Sequence, residues 1–205
     1  MSYSDFSLRQ LTKTFNLVIE EKQALFEHNH QIEIDSFMKK YISNNIPLAQ
    51  AIGTEKAKSE MIIAPVLIET KRILNNQISL FSGIDFNVDS QQGLNGYCDF
   101  LISLSPQQLY VSSPVIMLVE AKNDNLNSGI PQCIAEMIAA QIFNESENNM
   151  IAKIYGIVTN ANQWLFMNLE KNTVKIDMKE YYINNVEKII GILVNMVDFQ
   201  EISNK

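Results

Sequence analysis

Apolar positions along this chain fall at helical spacing in some stretches and at strand spacing in others, and their order sets a first expectation of the architecture. Ser7-Leu8-Arg9-Gln10 has the form of a capping box ahead of Leu11 and Phe15, which predicts a short helix. Leu17-Val18-Ile19 fits a brief strand or a continuation of that helix. From Glu33 to Ser43, Ile34, Phe37, Met38, Tyr41 and Ile42 follow the helical repeat, and the pattern predicts an end before Asn44-Asn45 and Pro47. Thr54, after Gly53, is a good N-cap for a long helix through about Leu74, with Met61, Ile62, Val66, Ile68 and Ile73 apolar. Pro65 inside that helix predicts a kink or a break.

Period-two patterning follows. Ile78 to Val88 alternates in part, with Gly83 placed to mark a bulge, and Asp89-Ser90-Gln91-Gln92-Gly93 is a turn cluster. Gly96 to Ser103 and Pro114 to Lys122 then read as adjacent strands. Asn123 to Gly129 is loop, and Pro131 suits the first turn of a helix reaching about Asn144. Ala135, Ala139 and Ala140 make that helix thin enough to lie close against a sheet, and Gln132 and Glu136, four apart, share one face of it. Ile151 to Thr159 predicts a further strand, Trp164 to Leu169 with Val174 to Met178 a hairpin, and about Asn184 to Phe199 a closing helix striped by Val186, Ile190, Leu193 and Val197. The expectation is an α/β protein with a central mixed β-sheet flanked by helices.

Composition narrows the picture. A 205-residue chain with 46% hydrophobic and 19% charged residues, free of low-complexity segments, fits a single domain with a full core. No apolar run approaches the roughly 20 residues that cross a bilayer, and the polar N-terminus lacks the apolar centre of a signal peptide, so a cytoplasmic protein without a membrane partner is expected. Cys98 and Cys133 form no disulfide framework and no zinc pattern; buried free thiols are the ordinary reading. A net charge of −7 disfavours tight nonspecific binding to nucleic acid and leaves room for a local basic strip from Lys56, Lys58, Lys71 and Arg72. His28-Asn29-His30 has no third ligand nearby and reads as a solvated loop.

Charge within the strand patterns changes the picture most. Asp99, Glu120 and Lys122 stand where a sheet should be apolar, and Glu120 and Lys122, two apart, share a face opposite Val119 and Ala121. Carboxylates and an ammonium on a buried sheet are costly unless they pair or hold a metal ion. A structural salt-bridge cluster is the simpler alternative. Glu60, one turn before Pro65, has an equally plain reading as a helix carboxylate paired with Lys56 or Lys58.

Gly96-x-x-Asp99, Glu120-Ala121-Lys122 and a helix starting near Gln132 together resemble the PD-(D/E)xK nuclease superfamily, over roughly Thr54 to Phe199. In that family a helix with an acidic residue precedes a three-stranded meander bearing the Asp and the D/E-x-K, and a helix and further strands complete a restriction-endonuclease-like core. The resemblance thus implies a nuclease-like core over residues 54–199 and an N-terminal helical extension over residues 1–53. Tyr155 to Asn160 with Trp164 also resembles the following strand and turn in restriction-related members. The runs Ser59 to Pro65 and Val119 to Lys122 are similar to a family of small uncharacterised cyanobacterial proteins. Departures are Cys98 in place of a proline before Asp99, Glu136 where glutamine-bearing branches often have tyrosine, and Ala161 where glycine is usual.

The resemblance implies Asp99, Glu120, Lys122 and Gln132 as catalytic residues and Glu60, Asp99 and Glu120 as ligands of Mg²⁺ or Mn²⁺. DNA is the implied substrate and a homodimer the implied assembly. The residue types suit this chemistry on their own account: a hard cation takes carboxylate and carbonyl oxygens, Ala121 O included, and a lysine beside it can orient or deprotonate a water. The alternative is a catalytically inactive module that keeps the fold for binding or assembly.

Overall fold

The computed structural model describes residues 1–22, 24–26 and 31–203, residues 198–203 as backbone alone. His28-Asn29-His30 lies outside the described residues. Among these, the strands form one open, mixed eight-stranded sheet in the order β1-β7-β6-β5-β4-β3-β2, with β8 also paired to β6. The strands are β1 (Val18–Lys22), β2 (Ser79–Asp85), β3 (Tyr97–Ser103), β4 (Val115–Ala121), β5 (Ile154–Thr159), β6 (Gln163–Glu170), β7 (Thr173–Asp177) and β8 (Tyr181–Tyr182). β4 pairs with β5 and β1 with β7 in parallel; the remaining pairs are antiparallel. The fold is therefore α/β with helices on both faces, as the patterning predicts.

The helices are α1 (Leu8–Thr14), α2 (Ser36–Ile52), α3 (Glu55–Lys58), α4 (Ala64–Ile73), α5 (Ile130–Ser146) and α6 (Val186–Ser203). α5 packs on one face with residues of the N-terminal segment, in a core of Tyr3, Leu11, Leu118, Cys133, Ile134 and Met137. The other face carries α2, α4 and α6 over Ile63, Val66, Val119, Ile157, Ile190 and Leu193. Each fully buried aliphatic side chain contributes about 1.5–3 kcal/mol to such a core. Helix and sheet meet at the limit of approach where the strand has no side chain: a Cβ on Gly156 of β5 would lie 2.4 Å from Met137 Sδ and 3.0 Å from Cys133 Sγ. No helix among the described residues is long and apolar enough to cross a membrane.

Four elements differ from the sequence patterning, each for a local reason. Residues 1–53 are more than a helical extension, because β1 joins the sheet as an edge strand beside β7. α2 runs on through Asn44, Asn45 and Pro47 to Gly53, which caps it at φ +69° with its N–H on Ala49 O. Pro47 lies on the exposed side, where water replaces the one helical bond it lacks, while Ile42 and Ala49 keep the other side buried. Thr54 caps the next helix as expected, its Oγ1 accepting from Ala57 N at 3.2 Å, but Ser59–Ile63 between α3 and α4 winds as a π-turn. There Ala64 N–H reaches back to Ser59 O, and the widened turn accommodates Pro65 without a break.

Gly83 marks no bulge. Ser82 stands opposite Phe100 and Ile84 opposite Cys98, so the register is the same on both sides of it. What changes there is the face. Leu80 and Phe100 pack on the α4/α6 side, whereas Ile84 and Cys98 pack on the α5 side, although each pair member sits an even number of residues from its counterpart along its strand. Both strands turn over at the Gly83–Asp99 position, and the positive φ of Gly83, +59°, permits it.

Candidate active site

That turnover positions the first acidic residue. With Phe100 opposite Val119, the next position sets Asp99 beside Glu120, and instead of continuing the ladder the Asp99 carboxylate Oδ2 accepts the Ala121 N–H at 2.8 Å. On its other side β4 is held by β5: Ala121 lies opposite Thr159, and Lys122 N–H donates to Thr159 O at 2.8 Å. The charged residues thus gather at the carboxyl ends of two parallel strands, where α/β sheets commonly bind ligands.

From there the side chains form a connected run. Lys122 Nζ donates to Glu120 Oε1 and lies 3.3 Å from Gln132 Oε1. Gln132 Nε2 donates to Glu136 Oε1 at 3.2 Å, one turn further along α5. Glu136 ends this run, and the like charge of Glu120 acts on it. Glu120 is 2% exposed and Glu136 0%. With both ionised, Glu120 Oε2 and Glu136 Oε2 have no donor at all. Two buried carboxylates and one ammonium leave a deficit of positive charge that a proton or a cation must meet.

Electrostatics follow from that deficit. Burial and the neighbouring Asp99 push the Glu120 carboxyl up to about 8, against the pull of Lys122. Glu136 is raised well above the ordinary carboxylate range, by burial first and by Glu120 second. Asp99 is also raised by burial, with the Ala121 N–H and Lys122 opposing. For Lys122 burial works downward, but Glu120, Glu55 and Asp99 outweigh it and its ammonium is held on more firmly than usual. Cys98 and Cys133, both buried, have their thiols raised by burial and are not nucleophiles.

No family model, curated protein or solved structure matches the chain.

Asp99, Glu120, Lys122 and Gln132 come together as the sequence analysis expects. Glu60 does not join them through any hydrogen bond or ion pair: its exposed carboxylate pairs with Lys56 at 2.9 Å. Glu55, exposed at the start of α3, adds a minor long-range repulsion to Glu120 and attraction to Lys122, with no hydrogen bond or ion pair to either among the described residues. Glu55 follows the Thr54 cap directly, so its position was readable, whereas the π-turn that separates its phase from that of α4 was not. Glu136 is the other addition. Its signal was an acid four residues after Gln132 on a helix whose neighbouring positions, Cys133, Ala135 and Met137, are all apolar.

As a cation site the cluster offers the carboxylates of Asp99 and Glu120, on adjacent strands. Among the described residues no group of three or more His, Cys, Asp or Glu side chains converges as a metal site. Mg²⁺, which keeps several waters and takes one or two carboxylates, is the ion such a sparse oxygen set suits.

Proposed function

We propose that this protein is a Mg²⁺- or Mn²⁺-dependent nuclease with a restriction-endonuclease-like core, hydrolysing phosphodiester bonds of DNA. The observation that carries the reading is the meeting of Asp99, Glu120 and Lys122 at one sheet end, with Glu120 Oε2 buried and lacking any donor. An orphaned carboxylate oxygen beside a second carboxylate fits a hard divalent cation, with Asp99 and Glu120 as its holders. When bound, such an ion supplies Lewis acidity toward the phosphate.

The chain's own groups have separable tasks. Asp99 is oriented by the Ala121 N–H, which fixes its carboxylate against the end of β4. Lys122, held charged between Glu120 and Gln132, stabilises negative charge growing on the phosphate and orients the attacking water. Gln132 Oε1 keeps the ammonium on the sheet end while its Nε2 engages Glu136, so the amide fixes the lysine through both of its ends.

A second reading, a binding or assembly module without catalysis, draws on the net charge of −7 and on the Lys122–Glu120 pair, which partly neutralises the carboxylate. Incubation of the purified chain with plasmid and single-stranded DNA, with Mg²⁺, Mn²⁺ or a chelator, separates the two. Metal-dependent cleavage lost in Asp99→Ala and in Lys122→Ala supports the nuclease. Intact DNA in every metal condition, or cleavage that persists in Asp99→Ala, refutes it.

A further inference from the structure

A cleft of about 240 Å³ opens beside the candidate active site, at the carboxyl ends of the parallel pair β4 and β5. Its floor is apolar, made by Ala49 of α2, Ile62 of the π-turn and Ala161 after β5, all buried. Its rim is amide-rich, and the rim residue Asn123 directly follows Lys122. Lys58, at the end of α3, donates to the Asn123 backbone carbonyl and lies 3.0 Å from Asn123 Oδ1. Asp124 stands 3.8 Å from the same ammonium, with its side chain mostly exposed.

Not every carboxamide there is free to bind. Asn160 is spent on the fold: its Oδ1 accepts from Asn162 N and Gln163 N, and its Nδ2 donates to Asp124 O. The side chains of Gln50 and Asn162 make no hydrogen bond among the described residues, and both line the cleft. A carboxamide offers a donor and an acceptor in one plane, the pattern that pairs with the edge of a nucleobase. The volume lies below the roughly 300 Å³ at which sites for drug-sized ligands begin, so it suits one base and not a run of stacked bases.

We infer that this cleft takes a single unpaired nucleobase of the strand being cut, its faces against Ala49, Ile62 and Ala161 and its edge read by Gln50 and Asn162. The inference rests on the nuclease reading for its substrate and adds to it a preference. A base inside a duplex cannot reach such a cleft without leaving the stack, so single-stranded or locally unpaired DNA is the favoured substrate.

The test measures binding of the four nucleoside 5′-monophosphates to the full chain by calorimetry, beside ribose 5-phosphate as a probe without a base. Saturable binding that depends on the base, weakened about tenfold or more in Gln50→Trp and in Asn162→Leu, supports the inference. Both positions are exposed, so the variants should fold, and their unfolding midpoints are recorded alongside. Ribose 5-phosphate binding as tightly as the nucleotides, or binding unchanged in both variants, overturns it. The cleavage assay separates the two readings. Base-dependent binding without cleavage in any metal sinks the nuclease and keeps the cleft, while equal cutting of single-stranded and duplex DNA by wild type and Gln50→Trp sinks the cleft and keeps the nuclease.

Discussion

The buried pair Glu120 and Glu136 makes the folded protein sensitive to pH in a direction opposite to that of most carboxylates. Glu120 has its carboxyl pushed from 4.5 to about 8, so between those values the folded chain holds a proton that the unfolded chain has lost. Stability from this group is fully present below pH 4.5 and is lost as pH rises toward 8, at a slope approaching about 1.4 kcal/mol per pH unit. Over the whole window the loss is on the order of 5 kcal/mol, a large share of the stability of an ordinary domain. For a chain of this size that corresponds to a fall of about 10–20 °C in unfolding midpoint. Urea or thermal unfolding at a series of pH values from 5 to 8.5, in a chelator, reads it directly. Glu120→Gln, which removes the titrating carboxyl, should flatten most of the slope and raise the midpoint at pH 8, whereas Glu136→Gln, which leaves burial and Asp99 acting on Glu120, should remove only the part that Glu136 itself contributes. A wild type whose stability is level from pH 5 to 8, or a slope that survives both Glu136→Gln and Glu120→Gln, would refute the argument from buried charge.

Three further outcomes are expected. In the chelator-free protein at pH 8, Mg²⁺ at a hundred times its dissociation constant should add about 2.7 kcal/mol of stability, with a smaller gain at pH 5 and none in Asp99→Ala; calorimetric unfolding measures all three. Gly129→Ala would set a Cβ 2.7 Å from Val158 Cγ1 and 3.0 Å from Lys122 Cγ. It should cost about 1–3 kcal/mol of stability and, by displacing the Lys122 stem, lower cleavage about a hundredfold without altering any charge, as single-turnover rates would register. Asp177, 1% exposed, accepts from Ala24 N, Lys179 N and the Tyr181 hydroxyl, so Asp177→Ala should lower the unfolding free energy by about 2–4 kcal/mol in urea titrations.

The sequence was informative wherever local chemistry decided the outcome. The Ser7 and Thr54 caps, the Pro131 start of α5 and the β6–β7 hairpin, with Lys171 at φ +56°, all depend on residues within a few positions of one another. Asp99, Glu120, Lys122 and Gln132 were legible for a related reason: charge in a strand is anomalous on its face. Long-range partners were not. Whether Leu17 to Ile19 became a strand depended on β7, more than 150 residues away along the chain, as Val18 opposite Thr173 attests. Pro47 was misleading because its cost depends on exposure, which a linear pattern does not carry. Glu136 could be placed on the face of Gln132, but its meeting with Glu120 required knowing that α5 lies on the face of the sheet from which Glu120 projects.

The π-turn at Ser59–Ile63 has a consequence for how this helix can vary. Such a turn holds one residue more than an α-helical turn, so it acts as a phase shifter between two segments that face different tasks. Upstream of it, Lys58 holds Asn123 at the sheet end and Glu55 adds charge nearby; downstream, Val66 and Leu67 address the core. Excising one residue inside the turn would restore ordinary winding and rotate one segment against the other by about 100°. The core, holding more buried surface, would keep its half, and the rotation would fall on Glu55 and Lys58. A single-residue deletion there is therefore a change that leaves the domain assembled while swinging an acid and a base away from the sheet end they now serve.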